Sequence, residues 1–116
     1  KRYAILCNML VVQGVDVVCS TISLFQEVHE FNRKYNEKYF EVLIDASMDT
    51  LNKRDKKGLY STGSLKETGE VIGVTLDLEF PQDPHLVVKN NGDNLTDELA
   101  MQILESADNH FSKCDK

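Results

Sequence analysis

The chain has 116 residues, which is room for one small domain and not for two. Its net charge of −6 excludes a general binder of nucleic-acid polymers, which needs a basic face, while leaving room for a local pocket that takes a nucleotide. The longest apolar candidate, Ile5 to Val18, is interrupted by Asn8, Gln13, Gly14 and Asp16. It falls short of the ~20 residues of a membrane span, so the expected setting is the cytoplasm, with no membrane partner.

From Arg2 to Gln13 the pattern predicts a helix with two apolar stripes, Tyr3/Leu6/Leu10 and Ile5/Met9/Val12, hence a helix buried on more than one side. Gly14 is its natural C-terminal stop. Val15 to Cys19 then reads as a short apolar strand of the kind buried on both faces of a parallel sheet. After the loop Ser20-Thr21-Ile22-Ser23, a polar helix is predicted over Phe25 to Tyr35, with Phe25, Val28 and Phe31 inward. Tyr39 to Asp45 is the clearest strand, and Ser47 is placed to N-cap a helix carrying Met48 and Leu51.

Residues 54–73 turn basic and glycine-rich, with Gly58, Gly63, Gly69 and Gly73, and read as a long functional loop. Pro81 and Pro84 bracket an extended segment before a third strand, Leu86-Val87-Val88, and Asn90-Asn91-Gly92 turns the chain. Thr96 is expected to cap a last helix whose core face is Leu99, Ala100, Ile103, Leu104 and Ala107. Helices alternating with strands imply an α/β fold with a parallel sheet and flanking helices. Three strands make a thin sheet, so a further N-terminal portion of the domain is expected.

The run Arg54-Asp55-Lys56-Lys57-Gly58-Leu59-Tyr60 is close to the Arg-Asp-Pro-Lys-Gly-Leu-Tyr signature of adenylyl-sulfate (APS) kinases. Around it the features fall in that family's order: the strand Phe40 to Asp45, the pair Gly73-Val74, Pro81 and Pro84, and upstream Ile22-Ser23-Leu24-Phe25, similar to an Ile-Ser-Pro-Phe turn. The sequence therefore resembles the APS kinase family over nearly its whole length, as the C-terminal two-thirds of one such domain with residues 54–73 as its lid.

That resemblance implies a P-loop kinase fold and transfer of the ATP γ-phosphate to the 3′-hydroxyl of APS, with ATP and Mg²⁺ as the cofactors and a homodimer as the assembly. No GxxxxGK[ST] run occurs in the 116 residues, so the phosphate cradle, and with it the Mg²⁺ ligands, is expected upstream. The chain by itself is expected to be inactive.

By the same resemblance Arg54 and Lys57 are the catalytic cations over the transferring phosphates. The bland alternative for Arg54 is a surface pair with Asp49 or Asp55. Lys89, Asn90 and Asn91, with Arg54, would border the ATP. The Asn pair reads equally as a base-edge reader and as a bare turn. Ser23, Phe25, Gln26, Arg33, Gly58, Leu59, Tyr60, Val71 and Gly73 would line the acceptor, with Ser23 as a hydrogen-bonding rather than nucleophilic residue.

The departures gather on the acceptor side. Where the family has arginines for the APS anion, this chain has Gln26, Val28 and His29, with only Arg33 and Lys34 nearby. Where the family has an aromatic ring stacked on the acceptor adenine, it has Val71. These changes resemble the capsule-biosynthesis branch of the family, whose acceptor is cytidine diphosphoramidate. A third reading is a non-catalytic α/β module that binds a nucleotide or a protein.

The remaining chemistry is bland. His29, His85 and His110 share no metal-ligand spacing, so no metal site is expected, and His85 reads as structural. The acidic pairs Glu27/Glu30 and Glu79/Asp83 read as solvated faces. Cys7, Cys19 and Cys114 form no CxxC pair; Cys7 and Cys19 lie in apolar runs, as small hydrophobes or, in the alternative, reactive thiols.

Overall fold

Val42-Leu43-Ile44-Asp45 (β1) and Leu86-Val87-Val88-Lys89 (β2) are β-branched and apolar, and they pair in parallel in a computed structural model, Val42 opposite Leu86 and Asp45 opposite Lys89. The structure describes residues 1–22, 25–54 and 79–114. These group into two compact units, residues 40–54 with 84–114 and residues 1–22 and 25–39 with 79–83. Among the described residues, the elements are helices α1 (Arg2–Val11), α2 (Gln26–Tyr35), α3 (Met48–Arg54) and α4 (Thr96–Cys114), with the two strands. The α/β class and the parallel sheet read from the alternation are what the structure has.

In the first unit β2 carries the core. Val88 is 1% exposed, and Leu99 of α4 is buried beside it. The inward stripe of α4 runs through Leu99, Ile103, Ala107 and His110, while Ala100 and Leu104 of the expected core face point outward. A single sheet face covers only one narrow stripe of a helix, so the wider predicted face is half used. Thr96 is the first helical residue rather than the cap. The cap is Leu95, whose carbonyl accepts from Leu99, and Glu98 reaches back to the Leu95 N–H at 3.3 Å.

Four rings close the far end of this unit. Phe40 stacks on His85 with centroids 5.3 Å apart, His85 meets His110 edge-on at 4.6 Å, and Phe111 packs against both Phe40 and His110. His85 Nδ1 accepts the Glu41 N–H at 2.9 Å, the structural role its place at a strand start suggested.

In the second unit α1 ends as Gly14 requires. The Gly14 N–H donates to Val11, the Val15 N–H to Leu10, and Gly14 takes φ 81°, a left-handed close that a side chain would strain. Two expectations fail here. No residue of α1 is buried; Tyr3, Leu6, Met9 and Val12 are all exposed, because two apolar stripes need partners on two sides and within this unit the helix packs on α2. Val15 to Cys19 is not a strand either. A strand exists only where a neighbour takes its N–H and C=O groups, and the ladder among the described residues joins β1 to β2 alone.

The polar helix α2 also turns differently from its pattern. Phe25 is the N-cap residue and is exposed, and the buried side chain of the helix is His29, whose Nε2 lies 3.3 Å from the Glu79 carbonyl. Among the described residues no helix is long and apolar enough to cross a membrane.

Val88→Ala deletes two methyl groups from the best-buried position of the sheet and should lower stability by about 2 kcal/mol in urea unfolding followed by circular dichroism. A loss under about 0.5 kcal/mol, the size of an ordinary surface change, would show that α4 does not close over this strand.

Candidate functional site

Parallel strands deliver their exits to the same end of the sheet, and the chain after β1 and the chain after β2 are tied together there. The Asn90 N–H donates to the Asp45 carbonyl at 2.7 Å, extending the ladder one step past Lys89. The Ser47 N–H donates to Asn91 Oδ1 at 2.8 Å, and the Thr50 hydroxyl donates to the Asn91 carbonyl at 3.4 Å. Ser47 caps α3 as its position suggested: its Oγ accepts the Thr50 N–H at 3.3 Å and lies 3.0 Å from the Thr50 hydroxyl.

Arg54, the last residue of α3, returns to this turn. Its Nη2 donates to Asn90 Oδ1 at 3.2 Å. Gly92 has φ 93°, and a Cβ built there would stand 3.2 Å from the same nitrogen. The glycine thus serves two ends, a left-handed turn and room for the guanidinium. Among the described residues no carboxylate lies within salt-bridge distance of Arg54, so the surface pair with Asp49 is not formed.

Of the residues expected at the ATP side, Arg54, Asn90 and Asn91 come together in this way, and Lys89 is exposed at the end of β2. Both Asn side chains are engaged within the protein, Asn90 by Arg54 and Asn91 by the start of α3. The turn reading of the pair therefore carries more of the geometry than the base-edge reading. Lys57, Gly58, Leu59, Tyr60, Val71, Gly73 and Ser23 lie outside the described residues.

The acceptor-side residues within the description, Phe25, Gln26 and Arg33, belong to the unit of α2. Phe25 provides no side-chain cap, and the first N–H of the helix, on Gln26, donates instead to Glu79 Oε2 at 2.7 Å. A carboxylate there satisfies an orphan donor and complements the helix dipole. This corrects the reading of Glu79 as merely solvated; Asp83 is exposed, as expected, and its backbone carbonyl accepts from Arg33 Nη2, so residues 79–83 are fastened to α2 at both ends. The Gln26 side chain donates to Glu30 at 3.2 Å.

Ring and carboxylate partners from distant sequence were beyond pattern reading. Thr50, buried against the turn, and Glu79 were both missed as site-shaping residues. Thr50 carried a usable signal, since it stands three positions after a capping serine, where such a cap places its partner. Glu79 carried none.

A family model described as adenylylsulphate kinase matches residues 1–89. Among curated proteins, a cytidine diphosphoramidate kinase from Campylobacter jejuni is 37% identical over 93 residues, which cover 80% of this chain and 54% of that protein. A probable adenylyl-sulfate kinase from Aeropyrum pernix is 29% identical over 99 residues, covering 82% and 54%. An adenylyl-sulfate kinase from Gloeothece citriformis is 31% identical over 108 residues, covering 93% and 61%. The chain spans between about half and three-fifths of the length of these relatives.

Gly92→Ala should cost about 1–2 kcal/mol in chemical denaturation, from the left-handed backbone alone, and should also displace the Arg54 side chain. A neutral result would mean that the turn can relax to negative φ without the Arg54 contact.

Proposed function

From the membership of this chain in the adenylylsulphate kinase family, we propose that the full protein is an ATP-dependent kinase that moves the γ-phosphate of ATP to a hydroxyl of a nucleotide acceptor, with Arg54 and Lys57 as cations at the transferring group. The observation that carries this reading is the Arg54 guanidinium, held on the Asn90–Gly92 turn at the carboxyl ends of two parallel strands, with no carboxylate among the described residues to neutralise it. The carboxyl end of a parallel sheet is where open α/β folds bind their ligands.

Phosphoryl transfer asks a protein for position and charge rather than covalent chemistry. Negative charge spreads over the equatorial oxygens as the bond to ADP lengthens, and a preorganised cation lowers that state more than the ground state. The reading requires a phosphate-cradling loop outside these residues, since no GxxxxGK[ST] run lies within them. Mg²⁺ would neutralise the phosphate oxygens when bound. Among the described residues no group of three His, Cys, Asp or Glu could hold it, so its ligands belong elsewhere in the protein or on the nucleotide.

For the acceptor, cytidine diphosphoramidate is the reading that specific residues favour over APS. His29 is 7% exposed and turned to Glu79, and the Gln26 backbone and side chain are both committed to carboxylates. Neither side chain is turned outward to an acceptor sulfate as the family's arginines would be. The Campylobacter jejuni relative, named for the cytidine acceptor, supports the same choice.

The test is an ATP-dependent assay of the full-length protein with APS and cytidine diphosphoramidate in parallel. Arg54→Ala should lower kcat by about 10³-fold, the scale of a transition-state arginine. Unchanged turnover would remove Arg54 from the reaction. A kcat/KM for cytidine diphosphoramidate at least about tenfold above that for APS, about 1.4 kcal/mol of discrimination, is expected; the reverse preference would overturn the acceptor assignment.

A further inference from the structure

The amino end of the β1–β2 ladder is completed by a side chain. The Glu41 carbonyl accepts the Leu86 N–H at 3.2 Å, as a parallel ladder requires, but the Glu41 N–H donates to His85 Nδ1 at 2.9 Å. A backbone N–H can only donate, so Nδ1 offers its lone pair and the neutral ring carries its proton on Nε2. The same ring stacks on Phe40 at 5.3 Å and meets His110 of α4 edge-on at 4.6 Å, and Phe111 packs on both of these partners. One imidazole therefore joins the start of the ladder to the last turns of α4. His85 is exposed while Glu41 is 6% exposed, so solvent protons reach the acceptor more readily than water reaches the donor.

We propose that His85 is an acid-released latch: a proton added at Nδ1 breaks the bond to Glu41 and loosens the last turns of α4 from the strand entry. Protonation turns the ring's acceptor into a second donor. Two N–H groups then oppose each other, and the Glu41 N–H loses its acceptor. Such a bond is worth about two- to tenfold in an equilibrium constant. An imidazolium would regain a cation–π contact with Phe40, but at an exposed site that gain is the smaller of the two.

The titratable residues packed against the ring are Glu41 from the strand entry and His110 from α4; along its own segment the nearest is Asp83, which is exposed. A charge on His85 would stand beside the His110 ring, which opposes it further whenever that ring is itself charged. The folded chain thus excludes a proton that the unfolded chain accepts as the pH falls below about 6.5. The unfolded state then holds more protons, so the latch contributes its full stability above that pH and loses it below. Arg54 and Asn90 stand at the carboxyl end of the ladder and His85 at its amino end, so the latch needs nothing of the kinase reading.

The experiment is NMR of the full-length protein, uniformly labelled with nitrogen-15, between about pH 8 and about pH 5. At the upper end the His85 ring should be the Nε2–H tautomer. As the ring gains its second proton, the Glu41 amide proton should move upfield in the same transition. Urea unfolding gives the second readout. Between about pH 7.5 and about pH 5.5 the unfolding constant should rise about fivefold more in the wild type than in His85→Asn, whose Oδ1 keeps an acceptor that does not titrate. Glu41→Gln keeps the backbone N–H and should keep the step; its loss there would move the titration to the Glu41 carboxyl and overturn the latch. The tautomer and the amide shift are read in the wild type, so a variant that fails to fold leaves them standing. An Nδ1–H tautomer near pH 8, a Glu41 amide unmoved while His85 titrates, or equal pH dependence with and without His85 would each overturn it as well.

Discussion

Parallel pairing of β1 and β2 is the constraint from which the candidate site follows. In an antiparallel pair the two chains would leave at opposite ends; here the segments after Asp45 and Lys89 leave side by side. Five residues from the two exits then interlock. Asn90 continues the ladder onto Asp45, Asn91 accepts from Ser47, and α3 begins from that contact, which sets where its far end places Arg54. Slipping the register by one residue would turn Val88 outward and separate the Ser47–Asn91 partners at once.

The energetics of this arrangement are unevenly divided. An exposed bond between Arg54 and an amide contributes little to folding, since both groups exchange one hydrogen-bond partner for another. What holds the geometry is the buried Thr50 hydroxyl beneath the turn and the left-handed Gly92 beside the guanidinium. The result is a cation that is positioned and, among the described residues, not neutralised; Asp55 lies outside them. A salt bridge would have anchored it better and left it less free to meet a phosphate.

The α2 unit shows the opposite economy. Its helix begins on a phenylalanine that cannot cap, and the deficit is met by Glu79, far along the chain. Satisfying that backbone donor internally removes it from any incoming anion, and burying His29 removes a second polar group from the surface. In the same unit α1 keeps much of its apolar surface exposed.

The α/β class, the parallel sheet, the capping serine at 47, the glycine stop at 14 and the turn at 90–92 were all legible in the sequence. Each depends on short-range chemistry: apolar run length, a hydroxyl ahead of a helix, a residue without Cβ where φ must be positive. The APS-kinase likeness was legible for the same reason, because a signature such as Arg54 to Tyr60 is contiguous. The tertiary structure alone decided that Val15 to Cys19 is no strand, that α1 is uncovered, and that His29 rather than Phe25 is the inward residue of α2. It also decided that Glu79 caps α2 and that Arg54 rests on Asn90. Those outcomes depend on which distant surface is present to complete a ladder, cover a stripe or accept a proton, and no local pattern carries that information.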